Sequence, residues 1–112
     1  MNHGQPLYRE SDDELLGFLA ETAGGWEART VFGYPLVSAA SRVEAEAVLH
    51  EHGLACLAGT WFFRDGFDGQ WYSCAIQEAN PERVTVGVTD YGHRLACQQL
   101  VIEGEALTVL RR

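Results

Sequence analysis

The rhythm of apolar and polar positions changes once along this chain, near residue 54. Up to that point apolar residues gather at the spacing of one helix face, and beyond it they alternate with polar ones as along a half-buried strand. Ser11-Asp12-Asp13-Glu14 has the form of a capping box, a serine able to accept from the third helical N–H with a glutamate placed to reach back. Leu15, Leu16, Phe18, Leu19 and Ala23 then supply an apolar stripe and Gly24-Gly25 a stop, which together predict a helix over 11–23. Trp26 to Phe32 reads as a strand that ends at Tyr34-Pro35. Ser41-Arg42-Val43-Glu44 repeats the capping-box form, and the run closed by Gly53 predicts a second helix over about 42–52.

The second half predicts a meander. Ala55 to Arg64 and Gln70 to Glu78 flank Asp65-Gly66-Phe67-Asp68-Gly69, a loop of hairpin length. Asn80-Pro81-Glu82 turns the chain into Arg83 to Asp90, where Val84, Val86 and Val88 alternate with Arg83, Thr85 and Thr89. Tyr91-Gly92-His93 turns it again into Arg94 to Glu103, whose alternation slips near Gln98-Gln99 in the manner of a bulge, and a last strand is expected over 106–110. Helices early and hairpins late predict the α+β class: an antiparallel sheet of about five strands with two helices packed on one face. A single domain over 1–112 is expected, with 1–10 as a loosely ordered N-terminal arm.

Composition fits a packed domain, since 46% of residues are apolar and three Trp, five Phe and four Tyr are present. The chain lacks the roughly 18 apolar residues in a row of a membrane helix, and its start, Met1-Asn2-His3-Gly4-Gln5-Pro6, lacks a signal-peptide pattern. A cytoplasmic location is expected, and three widely spaced cysteines, Cys56, Cys74 and Cys97, are expected as reduced, buried apolar residues rather than disulfides. The formal net charge is −8 with arginine as the only strong base, which disfavours direct binding to nucleic acid or an anionic membrane. Residues 1–56 carry nine acids against three arginines and residues 57–112 seven against five.

Candidate chemistry is sparse. His50-x-His52-x3-Cys56, completed by Cys74, Cys97 or His93, is a poor metal set, because residues two apart on a helix point to different sides. The 65–69 string lacks the ligand ladder of a calcium loop. No nucleophile elbow surrounds a cysteine, and no glycine-rich phosphate cradle opens a helix. Neither a cofactor nor catalysis is therefore expected. Two surfaces stand out instead. Consecutive aromatics, Trp61-Phe62-Phe63 and Trp71-Tyr72, must point to both faces of a sheet, and Phe67 sits at a loop tip between glycines. Asp12, Asp13, Glu14 and Glu21 on the first expected helix and Glu44 and Glu46 on the second would form one broad negative field.

These features point to a small acidic, non-catalytic protein-binding module or inhibitor that masks a basic, nucleic-acid-handling partner in the style of antirestriction, anti-CRISPR or immunity proteins. Its expected contact residues are Asp12, Asp13, Glu14, Glu21, Glu44, Glu46, Asp65, Phe67 and Asp68. Two rival readings are a small-molecule module or enzyme, with a pocket between helices and sheet lined by Tyr34, Trp61, Tyr72 and Cys74, and a homodimer joined through its aromatic sheet face.

Overall fold

The computed structural model describes residues 3–103 and 109–112. The chain divides into two compact units, Met1–Leu57 and Ala58–Arg112. The first holds strands β1 (Gln5–Tyr8), β2 (Leu15–Thr22), β3 (Gly25–Arg29) and β4 (Pro35–Ala39), followed by helix α1 (Arg42–His52) and a 3-10 turn, Ala55–Leu57. The second holds β5 (Trp61–Arg64), β6 (Trp71–Ala79), β7 (Arg83–Val88), β8 (Gln99–Glu103) and β9 (Leu110–Arg111). The fold is therefore mostly β, two antiparallel sheets of four and five strands with a single helix among the described residues, and not one sheet under two helices.

The missing helix is the one expected over 11–23. Leu15, Leu16, Phe18 and Leu19 form a short continuous apolar run, which suits a strand covered on both sides as well as a helix stripe, and here β2 takes it. Residues 9–14 form the β1–β2 turn, in which the Glu14 N–H donates to the Asp12 carboxylate and Asp13 sits at φ 57°, a left-handed conformation that aspartate tolerates. The presumed stop at Gly24-Gly25 lies in the β2–β3 hairpin, where Thr22 faces Gly25.

In the first unit the order is β1-β2-β3-β4, a simple meander. Gln5 to Tyr8, inside the stretch read as an arm, pairs with β2 as its edge strand. The core gathers Leu16, Leu19 and Ala28 from the sheet with Ala45 and Leu49 from α1. Leu16 and Leu19 can both face α1, despite the odd spacing between them, because the β1–β2 register shifts between Leu7 and Tyr8. Gly17 lies beneath the helix: a Cβ there would stand 2.9 Å from a Leu49 methyl and closer still to the Arg29 carbonyl oxygen. The second capping box starts α1 as its residues imply, with Ser41 Oγ accepting from the Glu44 N–H at 3.3 Å. Gly53 ends the helix in right-handed geometry, so what demands glycine is space, a Cβ there falling 2.5 Å from the Leu16 carbonyl oxygen.

In the second unit the order is β8-β7-β6-β5-β9. Alternation is clean on β7, where Val84, Val86 and Val88 are buried, and the same face of the sheet takes Trp61, Phe63 and Cys74. The expected strand over 94–103 begins only at Gln99, since 91–98 is a run of turns. The irregularity is a bulge at Cys97 and Gln98: the Val88 N–H donates to the Gln98 carbonyl, the Cys97 N–H donates to the Val88 carbonyl, and Cys97 lies at φ 66°. Of the last expected strand, 106–108 fall outside the described residues, and Leu110–Arg111 pairs with β5.

Candidate functional site

Two segments of the second unit converge, the β5–β6 loop at 65–70 and the turns at 91–95. Asp65 organises the first. Its backbone N–H donates to the Gln70 carbonyl and its carbonyl accepts from the Gly69 N–H, each at 2.9 Å, while its carboxylate accepts the Phe67 N–H at 2.7 Å. Asp68 repeats the device by accepting the Gln70 N–H at 2.8 Å, and its second oxygen takes the Tyr72 hydroxyl. That contact holds the Tyr72 phenol above its ordinary pKa.

The other segment docks through His93, buried against the rings of Tyr72 and Phe63 at centroid distances of 4.5 and 5.2 Å. The Leu95 N–H donates to His93 Nδ1 at 3.0 Å, which leaves Nε2 as the protonated nitrogen, and Nε2 meets the buried Asp65 carboxylate at 2.5 Å. Both ring nitrogens are thus committed within the protein. His93 is the only histidine of Ala58–Arg112, so within this unit no imidazole edge is left to activate Cys74 or Cys97. Burial pushes the Cys74 thiol up to about 11, away from thiolate character, whereas Cys97 is exposed rather than buried as expected. Among the described residues no group of three or more His, Cys, Asp or Glu could hold a metal ion, and no helix is long and apolar enough to cross a membrane.

The Phe67 N–H first, and then His93, hold the Asp65 carboxyl below its ordinary value of 3.8. The ionised form is the one the folded state favours, so the contribution is complete above the unfolded value and is lost as pH falls through the lower folded one. The stability difference between wild type and Asp65→Asn, measured by urea unfolding, is expected to stay level above about pH 5 and to narrow as pH falls below about 4. A difference that ignores pH in that window would show that the carboxylate does not fasten the two segments.

Between these segments lies a concavity of about 390 Å³ lined by Phe63, Arg64, Phe67, Arg94, Leu95 and Leu100 together with the Asp65–His93 pair. Phe67 stands at its edge, 87% exposed, with the Arg94 guanidinium 4.6 Å from its ring centre. Arg94 also reaches the Asp65 carboxylate at 3.3 Å.

The acidic residues do not form the single field expected of two neighbouring helices. Asp12, Asp13 and Glu14 lie in the β1–β2 turn, at the end of the sheet where Gly53, following α1, meets Leu16. Glu21 pairs across from Trp26, and the Arg42 guanidinium rests over the Trp26 ring, so Glu21, Glu44 and Glu46 belong to the opposite end. At about 3.3 Å per strand residue, the length of β2 puts about 20 Å between the groups. Asp12 pairs with Arg9 at 2.7 Å, Glu46 with Arg42 at 2.9 Å and Glu27 with Arg29 at 2.6 Å, which occupies every arginine of the first unit. Asp65, Phe67 and Asp68 sit together in the β5–β6 loop. His93, Arg94, Arg64, Leu95 and Leu100 complete the site without having been singled out for it, because the Asp65–His93 contact spans 28 residues and leaves no local pattern. No protein-family pattern, no curated protein and no solved structure matches this chain.

Proposed function

We propose that the chain is a small non-catalytic module that binds a protein partner through the β5–β6 loop, with its acidic first unit steering it toward a basic surface. The observation that carries this reading is Phe67, an aromatic ring almost wholly in water at the tip of a loop whose course is fixed by the Asp65 and Asp68 side chains. Apart from the Arg94 guanidinium on one side, the ring is left to water, and holding it on an ordered loop lowers the entropy lost when it enters a partner's pocket. Steering is supported by charge. Nine carboxylates in Met1–Leu57 face three arginines, all already paired, and Glu10, Asp13, Glu14, Glu21, Glu44 and Glu51 remain without an arginine partner among the described residues. A partner that handles nucleic acid would present the matching basic surface.

The test pairs a residue with a salt series. Capture from a lysate by the immobilised chain is expected to retain a basic protein, and Phe67→Ala is expected to weaken that complex by about 1–3 kcal/mol without changing the melting curve. Association should slow steeply as ionic strength rises from low to physiological. If no protein is retained, or retention ignores both Phe67 and salt, the module reading is wrong.

A further inference from the structure

The concavity beside Phe67 has a local charge opposite to that of the whole chain. Of its charged lining groups, Arg64 and Arg94 are cationic and only Asp65 is anionic. Asp65 is already answered by the Phe67 N–H and by His93 Nε2, so its contact with Arg94 is a shared and longer one at 3.3 Å. Arg64 is exposed and makes no ion pair among the described residues. The Arg94 side chain is 56% exposed, its guanidinium held by the Phe67 ring rather than enclosed by acids. Phe63, Leu95 and Leu100 make the lining mainly apolar, and Arg64 borders it at the end of β5.

From this arrangement we infer that the concavity is a binding site for a small organic monoanion, a carboxylate carried on an aromatic or branched apolar body. A guanidinium offers a carboxylate two parallel N–H donors, and such a pair strengthens where an apolar wall excludes water. The body of the ligand lies over Phe63, Leu95 and Leu100, and Phe67 flanks it as a second aromatic surface. The volume, about 390 Å³, falls within the range of small-ligand sites and suits one ring with a short acidic tail. A phosphate dianion fits less well, since Asp68 lies on the same loop and the net charge of −8 opposes a doubly charged ligand more strongly than a singly charged one. This site shares Phe67 with the protein contact proposed above and differs from it in needing Arg64 and Arg94.

The experiment is a calorimetric or NMR titration of the full chain with 4-phenylbutyrate, its uncharged amide 4-phenylbutanamide, and the cation 4-phenylbutylamine. Saturable binding of the acid is expected at millimolar concentration or below, with the amide and the amine each weaker by at least about tenfold. NMR shifts should concentrate at Arg64, Phe67 and residues 93–95. Arg64→Gln alone should weaken the acid severalfold, and Arg64→Gln with Arg94→Gln should abolish binding while the circular dichroism melt is retained. If the double variant fails to fold, the single Arg64→Gln variant decides, because Arg64 touches no carboxylate that holds the loop. Absence of saturable binding by the acid, equal binding of acid and amide, or unchanged affinity in Arg64→Gln would each overturn the assignment. None of these outcomes alters retention of a protein by Phe67, so the two proposals fail separately.

Discussion

Trp61→Ala is expected to destabilise the second unit by about 3–5 kcal/mol, the usual cost of truncating a large aromatic in a core. Trp61 is 0% exposed and is the largest fully buried side chain among the described residues. It stands on β5 directly across from Cys74, itself buried, and β5 lies between β6 and β9, so its neighbours cannot move inward without giving up strand pairing. The cavity would stay open, and the cost would include lost dispersion contacts as well as the lost benefit of keeping the ring out of water. Trp71 is the internal comparison. It is only half-buried, and its ring is covered by the Arg111 guanidinium 4.3 Å from its centre, so Trp71→Ala should cost far less. Urea unfolding followed by far-UV circular dichroism would measure both. A loss under about 1 kcal/mol for Trp61→Ala would place that ring outside the core.

Leu49→Ala is the second large effect, about 2–5 kcal/mol, and it falls on the first unit. Leu49 is the residue through which α1 fills the space above Gly17, among Leu16, Leu19, Ala28 and Ala45. The helix has few other apolar residues to hold it: its other buried side chain is Ala45, Val48 is only partly buried against the core, and Val43 is exposed. Loss of Leu49 should therefore loosen α1 from the sheet as well as leave a void. Gly17→Ala should also destabilise this unit, and it makes a discriminating partner. Were the Leu49 methyl the only obstacle, Leu49→Ala would rescue it. The nearer atom is the Arg29 carbonyl oxygen, and Gly17 sits at φ 150°, so no rescue is expected in the double variant. Recovery in the double variant would show that side-chain crowding, not backbone approach, makes glycine necessary.

The proposed site and the fold rest on different kinds of contact. Within the β5–β6 loop, Asp65 and Asp68 each bind a backbone N–H two residues on, an interaction their positions beside glycine foreshadow. What turns that loop into one wall of a concavity is the Asp65–His93 bond, together with the edge-on packing of the His93 ring against Phe63 and Tyr72. His93 reads as a turn residue and a spare ligand in the sequence. Its actual role is to fasten the loop, with both nitrogens engaged.

The amino-acid sequence by itself determined those parts of this protein whose signals lie within a few residues of one another. Ser41 and Glu44 start α1, the valines at 84, 86 and 88 set the buried face of β7, and Asp65 to Gly69 make a hairpin loop with Phe67 at its tip. Only the tertiary structure decided whether Leu15 to Leu19 would be helix or strand. That run is apolar at nearly every position, and β1 on one side with β3 on the other supplies the hydrogen bonds and α1 the cover that make it a strand, overriding a capping box that is read locally as a helix start. The same holds for the acidic residues. Their number was legible, but whether they formed one field or two depended on that single element. Once 11–23 became a turn and a strand, Asp12, Asp13 and Glu14 were carried to one end of the sheet and Glu21, Glu44 and Glu46 to the other. Local helix preference is worth only tenths of a kcal/mol per residue. Burying a strand in a sheet beneath a helix is worth several kcal/mol in all, and that burial, available only once distant segments meet, set the fold.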